Sequence, residues 1–391
     1  MSRYHSYLNS ATTILSSYKG EEPFASFIKK YFSQHKKFGS KDRKQVSHLC
    51  YCYFRLGKAL SAVPVEERIL IGFFLSSHQS NEVLQDLKPE WNERVADTFW
   101  EKQKLLGSSF SIPDIFSGEN ELSDSIDKEK FILSHLEQPD LFLRLRPGKE
   151  NIVKQKLTKG ELSFQRITEN CISLSNSSGI DRLILLDKEA VVQDYSSQRV
   201  GEFMEVVRQT IPDPLLLRVW DCCAASGGKS IMAKDILGDM DLIVSDVRES
   251  ILINLQNRFL AAGIKNYERF IADLSKPLTI SLSTFNFIIA DVPCTGSGTW
   301  GRTPEQLYYF DEKKTDEYAA LQKKIISNII PQLEPGGYLL YITCSVFKKE
   351  NEEAVKFIKE KFHLDMIKME LIKGYDQKAD TMFAALFKKK D

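Results

Sequence analysis

Two cysteines in this chain occupy positions that favour nucleophilic sulfur chemistry. Cys294 lies in Asp-Val-Pro-Cys-Thr-Gly-Ser-Gly at 291–298, and Cys344 lies in Tyr-Ile-Thr-Cys-Ser at 341–345. Each motif follows an apolar run that predicts a buried strand. Because ligands and reacting groups gather beyond the carboxyl ends of parallel strands, two thiols at that edge indicate nucleophiles. The alternative is two small buried side chains, since free cysteine is among the most buried residue types.

The elements around the cysteines predict a doubly wound α/β sheet, because strand-like and helix-like runs alternate from about residue 187 onward. Strands are predicted at 215–221, 241–245, around 270–272, 285–290 and 338–342, and helices at 231–237 and 350–362. Four of these strands end on an aspartate, namely Asp221, Asp246, Asp273 and Asp291. One such residue would mean little, because aspartate is a common helix N-cap. Four in series favour a nucleoside-bearing cofactor, with Asp246 on the ribose and Asp273 near an adenine edge.

The turn after the first strand is rich in small residues. It reads Cys-Cys-Ala-Ala-Ser-Gly-Gly-Lys-Ser at 222–230, and small side chains let backbone N–H groups approach a ligand closely. Its Gly-Gly-Lys-Ser ending is similar to an ATP-binding phosphate loop, but a cysteine occupies the position of that loop's first glycine. We therefore reject ATP binding at this turn.

Two segments precede the predicted sheet. Apolar residues recur at spacings of three and four through 1–106, which predicts amphipathic helices that include 44–62 and 66–78. The stretch 107–130, rich in Ser, Gly and acids, predicts a loop or linker. A small α+β unit follows, with a helix predicted at 150–158 and strands at 141–146, around 164, 172–174 and 183–186. We place the domain limits at 1–135, 136–190 and 191–391.

A basic stretch at 23–58 favours contact with a phosphate-rich polyanion. It holds nine basic residues and one acid, a net charge of +8, and aromatic residues are interleaved with them, namely Phe27, Tyr31, Phe32, Phe38, Tyr51, Tyr53 and Phe54. The alternative is a solvated helix face for the lysines and helix core for the aromatics. We prefer core for the aromatics and leave both interpretations open for the lysines.

Composition excludes several classes of protein. The first twenty residues lack the apolar centre of a signal peptide, and no run is long enough to span a membrane. The seven cysteines form no C-x-x-C pair, which argues against zinc and disulfides and predicts a reducing cytoplasm. Only His363 of the six histidines falls in the predicted α/β domain, so we expect no metal site. Zero net charge over 391 residues says nothing about nucleic acid.

Together these motifs resemble the Sun-type, RsmB-like RNA cytosine-5 methyltransferases. The matching stretches are 193–198, 221–229, Asp246, Asp273, 291–294, 343–345, 350–352 and a last strand at 380–386. The resemblance implies a Rossmann-like class I methyltransferase domain that binds S-adenosylmethionine. More loosely, 39–43 with 53–55 resembles the family's NusB-like helical RNA-binding module. Residues 139–190 resemble its small RNA-recognition-motif-like domain.

The resemblance also implies roles for individual residues. Cys344 would add to carbon-6 of a cytosine, Asp291 would bind the base, and Cys294 would assist release of the product. Cofactor contacts would come from Cys223, Ala224, Ala225, Ser226, Gly227, Gly228, Lys229, Asp246, Asp273 and Asp291. From motif chemistry alone the cysteine roles could be swapped, since DNA cytosine methyltransferases use the Pro-Cys thiol. Lys229 would orient Asp291 or a phosphate, or else be a solvated lysine.

Two departures from the family pattern affect the site. Ser226 stands where the family usually has proline, and 301–305 reads Gly-Arg-Thr-Pro-Glu in place of an Arg-Arg-Asn-Pro-Asp-like stretch. We expect a monomer whose partner is RNA, ribosomal by analogy. Two alternatives remain: a methyltransferase acting on a non-RNA acceptor, and a non-catalytic RNA-binding ribosome assembly factor.

Overall fold

A computed structural model describes residues 2–107, 112–176, 178–210, 216–278 and 283–390. The chain folds into two compact units. The first contains Met1–Asn120, Asp127–Gln138 and Thr299–Glu312, and the second contains Glu121–Ile126, Pro139–Gly298 and Lys313–Asp391. The domain limits at 135 and 190 stay predictions.

The first unit is helical, because apolar residues recur at helical spacing and pack into one interior. Its helices, numbered along the whole chain, are α1 Arg3–Ser17, α2 Phe24–Gln34, α3 Ser40–Arg55, α4 Val65–Ser76, α5 Glu82–Leu87, α6 Pro89–Asn92, α7 Phe99–Leu105, α8 Lys128–Ser134 and α14 Pro304–Tyr309. Short 3-10 helices cover Ile112–Asp114 and Glu119–Glu121. The expected helical N-terminal part is therefore present.

Two predictions for this part need correction. The helix predicted at 44–62 ends at Arg55, because Gly57 adopts φ +52° and a Cβ there would lie 1.8 Å from the backbone oxygen of Ile115. The segment 107–130 is not a plain linker over its described residues. Phe116 is fully buried in the first unit, and Leu122 pairs with Phe347 within the second. The segment has few apolar residues, so its sequence pattern did not predict these contacts. Residues 108–111 lie outside the described residues.

The basic stretch divides between surface and interior. Most of its aromatics pack inside, including Phe32, Phe38, Tyr53 and Phe54, which confirms the core interpretation for those four. Seven of its basic residues are exposed, namely Lys29, Lys30, Lys36, Lys37, Lys41, Lys44 and Lys58. Arg55 is instead buried and donates hydrogen bonds to carbonyl oxygens. The charge available to a polyanion is therefore carried by lysines.

The second unit contains two sheets. The smaller, here called the small sheet, is antiparallel with order β2–β3–β1–β4. Its strands are β1 Leu141–Leu145, β2 Phe164–Arg166, β3 Cys171–Leu174 and β4 Ala190–Val192, with α9 Glu150–Lys159 between β1 and β2. The strand predicted at 183–186 is wrong, because a 3-10 helix, Ile180–Arg182, turns the chain there. The likeness of the small sheet and its helix α9 to an RNA-recognition motif stays a prediction.

The larger sheet has seven strands in the order β10–β11–β9–β8–β5–β6–β7. They are β5 Leu217–Asp221, β6 Met240–Asp246, β7 Glu268–Ile271, β8 Phe285–Asp291, β9 Leu333–Thr343, β10 Asp365–Ile372 and β11 Met382–Lys388. The helices are α10 Tyr195–Arg199, α11 Gly201–Thr210, α12 Gly228–Leu237, α13 Glu249–Ala262, α15 Lys313–Ile329 and α16 Glu352–Phe362. Further 3-10 helices cover Ser297–Thr299, Ile330–Gln332 and Tyr375–Gln377.

This larger sheet confirms the predicted doubly wound fold. Strands β7, β6, β5, β8 and β9 are parallel, and β11 and β10 add an antiparallel edge. The chain order reverses between β5 and β8, which is the point where such sheets open a crevice beyond the strand ends. Within the described ranges, no helix has the length and apolar character needed to cross a membrane.

We predict that Arg55→Met destabilises the first unit by about 3 kcal/mol, because it removes charged hydrogen bonds and leaves buried oxygens unpaired. Arg55 donates to the backbone oxygens of His135 at 2.7 Å, Glu137 at 2.8 Å and Gly301 at 3.1 Å. Tryptophan fluorescence during urea unfolding measures the effect, since Trp91, Trp100 and Trp300 lie in this unit.

The exposed Lys29→Met is the matched control, and we expect its unfolding midpoint to stay at the wild-type value. Equal midpoints for Arg55→Met and the wild type would contradict the structural role of the guanidinium.

Candidate active site

A cavity of about 620 Å³ lies at the carboxyl ends of the parallel strands. Seven of the predicted site residues line it: Cys223, Ala225, Asp246, Asp273, Asp291, Cys294 and Cys344. Ala224, Ser226, Gly227, Gly228 and Lys229 are not on its wall. The structure therefore brings the strand-end acids and both thiols to one cavity, with the rest of the turn behind it.

The small-residue turn between β5 and α12 is tightly held against β6. The Ala224 N–H donates to the Ser245 backbone oxygen at 2.9 Å, and the Ala225 N–H donates to Asp246 Oδ2 at 3.1 Å. Gly227 adopts φ +83°, and a Cβ there would lie 2.6 Å from Phe259 Cε1. The turn thus needs glycine at this position, and it reaches the cavity through Cys222, Cys223 and Ala225.

Two strand-end acids at the cavity differ in their surroundings. Asp246 is buried, and it also accepts from the Arg248 N–H at 3.0 Å. Asp273 is exposed and lies two residues past the end of β7, so the prediction that its strand ends on it is wrong. The hydroxyl of Ser275 at 2.6 Å, with Lys276, holds the pKa of Asp273 below its usual value. Asp246 is therefore the preorganised acceptor of the two.

Lys229, which is buried, pairs with the half-buried Asp291. The Lys229 Nζ donates to Asp291 Oδ2 at 2.9 Å and to Ser197 Oγ at 2.9 Å. Lys229 is 8% exposed, so it is not a solvated lysine. This arrangement orients the Asp291 carboxylate at the cavity wall.

Asp221 is the buried acid behind this pair. Its Oδ2 accepts from Ser230 Oγ at 2.6 Å, whereas its Oδ1 has no hydrogen-bond partner. Burial raises the pKa of Asp221 to about 7, and the nearby charges of Asp291 and Asp246 act in the same direction. Asp221 is therefore largely neutral below neutral pH.

The two thiols face each other, with 3.2 Å between Cys294 Sγ and Cys344 Sγ. The hydrogen bond to Cys344, together with burial, raises the pKa of the Cys294 thiol well above its usual value. The backbone oxygen of Cys344 accepts from the Gly298 N–H at 2.8 Å, which holds the two motifs together. The raised pKa favours the protonated form of the Cys294 thiol.

Ser226, at the position where the family usually has proline, is held by a side-chain network. Arg258 Nη1 donates to Ser226 Oγ at 2.9 Å and to its backbone oxygen at 3.0 Å. Arg258 also pairs with Asp187, with 2.6 Å between Nη2 and Oδ1. Arg258 therefore holds the turn through the side chain and the backbone oxygen of Ser226.

Sequence reasoning missed several residues of the cavity. Arg248, Leu321 and Ile325 line it without belonging to any motif recognised above. Leu321 and Ile325 are one helical turn apart on α15, a spacing that predicts only an apolar helix face. Ser197, which accepts a hydrogen bond from Lys229, could have been found from the sequence, because it falls in the stretch 193–198 that resembles the family. Within the ranges that the structure describes, no cluster of three His, Cys, Asp or Glu side chains could hold a metal.

Comparison with known proteins agrees with this geometry. Residues 216–388 match the family described as 16S rRNA methyltransferase RsmB/F. The match covers 173 of the 391 residues, which is less than half of the chain. The family uses S-adenosylmethionine, and the narrow glycine turn, Asp246 and the strand-end cavity fit its adenosyl group.

The methyltransferase domain has relatives of known name and structure. Ribosomal RNA small subunit methyltransferase B of Salmonella paratyphi A is 29% identical over 165 residues, 42% of this chain and 37% of that protein. The crystal structure of PH0851 covers 97% of both chains with a TM-score of 0.71 and 18% identity. NSun6 from Pyrococcus horikoshii with SFG covers 70% of this chain and 97% of its own, with a TM-score of 0.59 and 15% identity. Both structural likenesses show the fold.

We predict that stability depends on pH through Asp221. The folded-state pKa is raised from 3.8 to about 7, so the folded protein binds the proton more tightly than the unfolded chain does. Stability from this group is present below the unfolded pKa and is lost as pH rises through about 7. Thermal midpoints of wild type and Asp221→Asn between about pH 5 and about pH 8 test this. The wild-type midpoint should fall relative to the variant.

The exposed Asp376→Asn is the control for this pH series, and its midpoint should follow that of the wild type. Parallel curves for wild type and Asp221→Asn would show that Asp221 titrates as an ordinary carboxylate.

We predict that Arg258→Gln weakens S-adenosylmethionine binding by roughly tenfold, because it releases the turn and leaves Asp187 unpaired. Ser226→Ala removes only one acceptor, so its loss should be about threefold. Calorimetric titration measures both, with the exposed Arg269→Gln as the control. Wild-type affinity in Arg258→Gln would exclude a role for the arginine in shaping the cofactor site.

Proposed function

We propose that this protein transfers a methyl group from S-adenosylmethionine to carbon-5 of a cytosine in RNA. The observation that carries the proposal is the pair of thiols, 3.2 Å apart, on the wall of a cavity that also presents Asp246 and Asp291. A methyltransferase needs the acids for its cofactor and its substrate. Two thiols meet the further requirement of cytosine chemistry, which is to make carbon-5 nucleophilic and then to restore the ring.

The proposed reaction uses Cys344 as the nucleophile. Its thiolate adds to carbon-6 of cytosine, and the electron pair of the 5,6 double bond becomes available at carbon-5. S-adenosylmethionine supplies the methyl group that carbon-5 takes up. Solvent then takes the proton from carbon-5, the electron pair of that bond re-forms the double bond, and the bond from carbon-6 to sulfur breaks, which returns the Cys344 thiolate.

The state of Cys294 supports this division of roles. A thiolate is the nucleophilic form of cysteine, and the raised pKa of Cys294 favours the protonated form of that residue, which supports Cys344 as the nucleophile. Cys294 is then placed beside the carbon–sulfur bond that must break, and it acts in the release step. The opposite assignment would require the group with the raised pKa to attack first.

Asp291 is the proposed anchor for the base. With Lys229 donating to its Oδ2, the carboxylate is held in one orientation and can accept from the exocyclic amine of cytosine. Asp291 would select strongly for a base that carries an exocyclic amine, because a base without that donor leaves the carboxylate unpaired.

RNA is the proposed partner on three grounds. The family match at 216–388 is to a ribosomal RNA methyltransferase, the first unit exposes lysines, and cytosine in a loop is accessible to such a site. Ribosomal RNA is the proposed class, although the curated relatives are matched over only 37% of their length. We further propose a cytoplasmic monomer. A non-RNA acceptor and a non-catalytic assembly factor are the competing functions.

Trapping the adduct tests the proposal. We expect Cys294→Ala, incubated with S-adenosylmethionine and total RNA from cells lacking the protein, to give a shifted band on a denaturing gel. Nuclease should remove the shift, because the bond to carbon-6 forms but is not released. Cys344→Ala should give no shifted band, and Cys171→Ala, altered in the small sheet, should behave as the wild type.

Each other result has a definite meaning. A band from Cys344→Ala alone would exchange the roles of the two cysteines. No band from any variant that binds S-adenosylmethionine tightly would favour the non-RNA acceptor or the assembly factor.

A further inference from the structure

One buried carboxylate contacts the residues that follow both reactive cysteines. Glu350 is 0% exposed, and its Oε1 accepts from the Thr295 N–H at 2.9 Å. Its Oε2 accepts from Thr295 Oγ1 at 2.6 Å and from Ser345 Oγ. Thr295 is bonded to Cys294 and Ser345 to Cys344, so one side chain joins the two motifs directly.

A second side chain extends this connection to the other side of Cys294. Gln322 Nε2 donates to Glu350 Oε1 at 3.1 Å and to the backbone oxygen of Pro293 at 3.0 Å. The Tyr341 hydroxyl lies 2.7 Å from the Glu350 backbone oxygen and 3.0 Å from Gln322 Oε1. Cys294 is thus held through its preceding and its following residue by a network centred on Glu350.

The chemistry of this network points to positioning. Burial raises the pKa of Glu350, and a buried carboxyl group is unfavourable unless several donors surround it. Four donors do so here: three belong to the segments that carry the cysteines, and the fourth belongs to Gln322, which also holds Pro293. Apolar packing could fill the same space, but it would not fix the direction of two loops.

We propose that Glu350 is a positioning residue that sets the separation of the Cys294 and Cys344 sulfurs by binding Thr295 and Ser345. Its consequence for catalysis rests on the proposed function, since the two thiols must act in turn at the same carbon–sulfur bond. The geometric part, a fixed distance between two sulfurs, can be tested without any RNA.

The hydrogen bonds of Glu350 make it possible to separate a positioning role of this side chain from an effect of its charge. Glu350 Oε1 receives N–H donors that cannot reverse, whereas Oε2 receives two hydroxyls that can accept instead. Glu350→Gln can therefore keep every contact, with its amide nitrogen in place of Oε2. Glu350→Ala loses them all. A positioning role predicts that the glutamine variant behaves as the wild type and the alanine variant does not.

The test is the rate at which diamide converts the two thiols into a disulfide, followed by mass spectrometry of the linked peptides. We expect Glu350→Ala to cross-link more slowly by about tenfold, because disulfide formation requires the sulfurs to meet in a narrow geometry. Glu350→Gln should stay within about threefold of the wild type. Glu353→Ala, an exposed glutamate on the same segment, is the matched control and should be unchanged.

The outcomes are decisive in both directions. A folded Glu350→Ala that cross-links at the wild-type rate overturns the proposal, and so does a Glu350→Gln that is as slow as the alanine variant. If Glu350→Ala fails to fold, Ser345→Ala decides, since it removes one donor and keeps the carboxyl group. Slower cross-linking in Ser345→Ala supports the proposal, and an unchanged rate overturns it.

A kinetic readout separates this proposal from the proposed function. If the wild type methylates cytosine, Glu350→Ala should lower kcat with little change in the KM for S-adenosylmethionine, and Glu350→Gln should restore kcat. If the wild type does not methylate RNA, the proposed function fails while the cross-linking result still stands.

Discussion

The register between β8 and β9 is the constraint on which the candidate active site depends. Asp291 pairs with Ile342 across the two parallel strands, so Cys294 and Cys344 follow three and two residues later at the same edge. A shift of one residue would turn every side chain to the opposite face of the sheet. Both strands are buried apolar runs, and their pairing brings the two cysteines to the same edge of the sheet.

Polar burial behind that edge is the second requirement. Asp221, the Lys229–Asp291 pair and Glu350 place charged or ionisable groups where apolar packing would be more favourable. The Lys229–Asp291 pair and Glu350 have partners from another strand end or turn, so each connects two segments that carry site residues, whereas Asp221 accepts from Ser230 on the helix that follows its own turn. Proteins retain such unfavourable groups where position or protonation matters, and here all of them lie beside the same cavity. The favourable apolar packing of the sheet offsets the free energy that these polar groups cost.

Local sequence patterns predicted β5, β6 and β8 well, because each contains an apolar run and ends on an aspartate. They failed where contacts between distant residues decide the structure. Arg55 looked like part of a basic surface, yet it is buried against three carbonyl oxygens. The run at 183–186 has the composition of a strand, yet it follows a 3-10 turn. No spacing rule links Glu350 to Thr295, which is 55 residues away.

Ser226 shows how a departure from a family pattern can be compensated. Proline stiffens a turn by restricting its own backbone, and that restriction is local. Here the turn is held instead by Arg258, which also binds Asp187 close to the start of β4. Arg144 and Arg146 of the small sheet bind Asp235 on α12, the helix that begins at this turn. The position of the turn therefore depends on these two arginines as well as on Arg258, although none of the three lines the cavity.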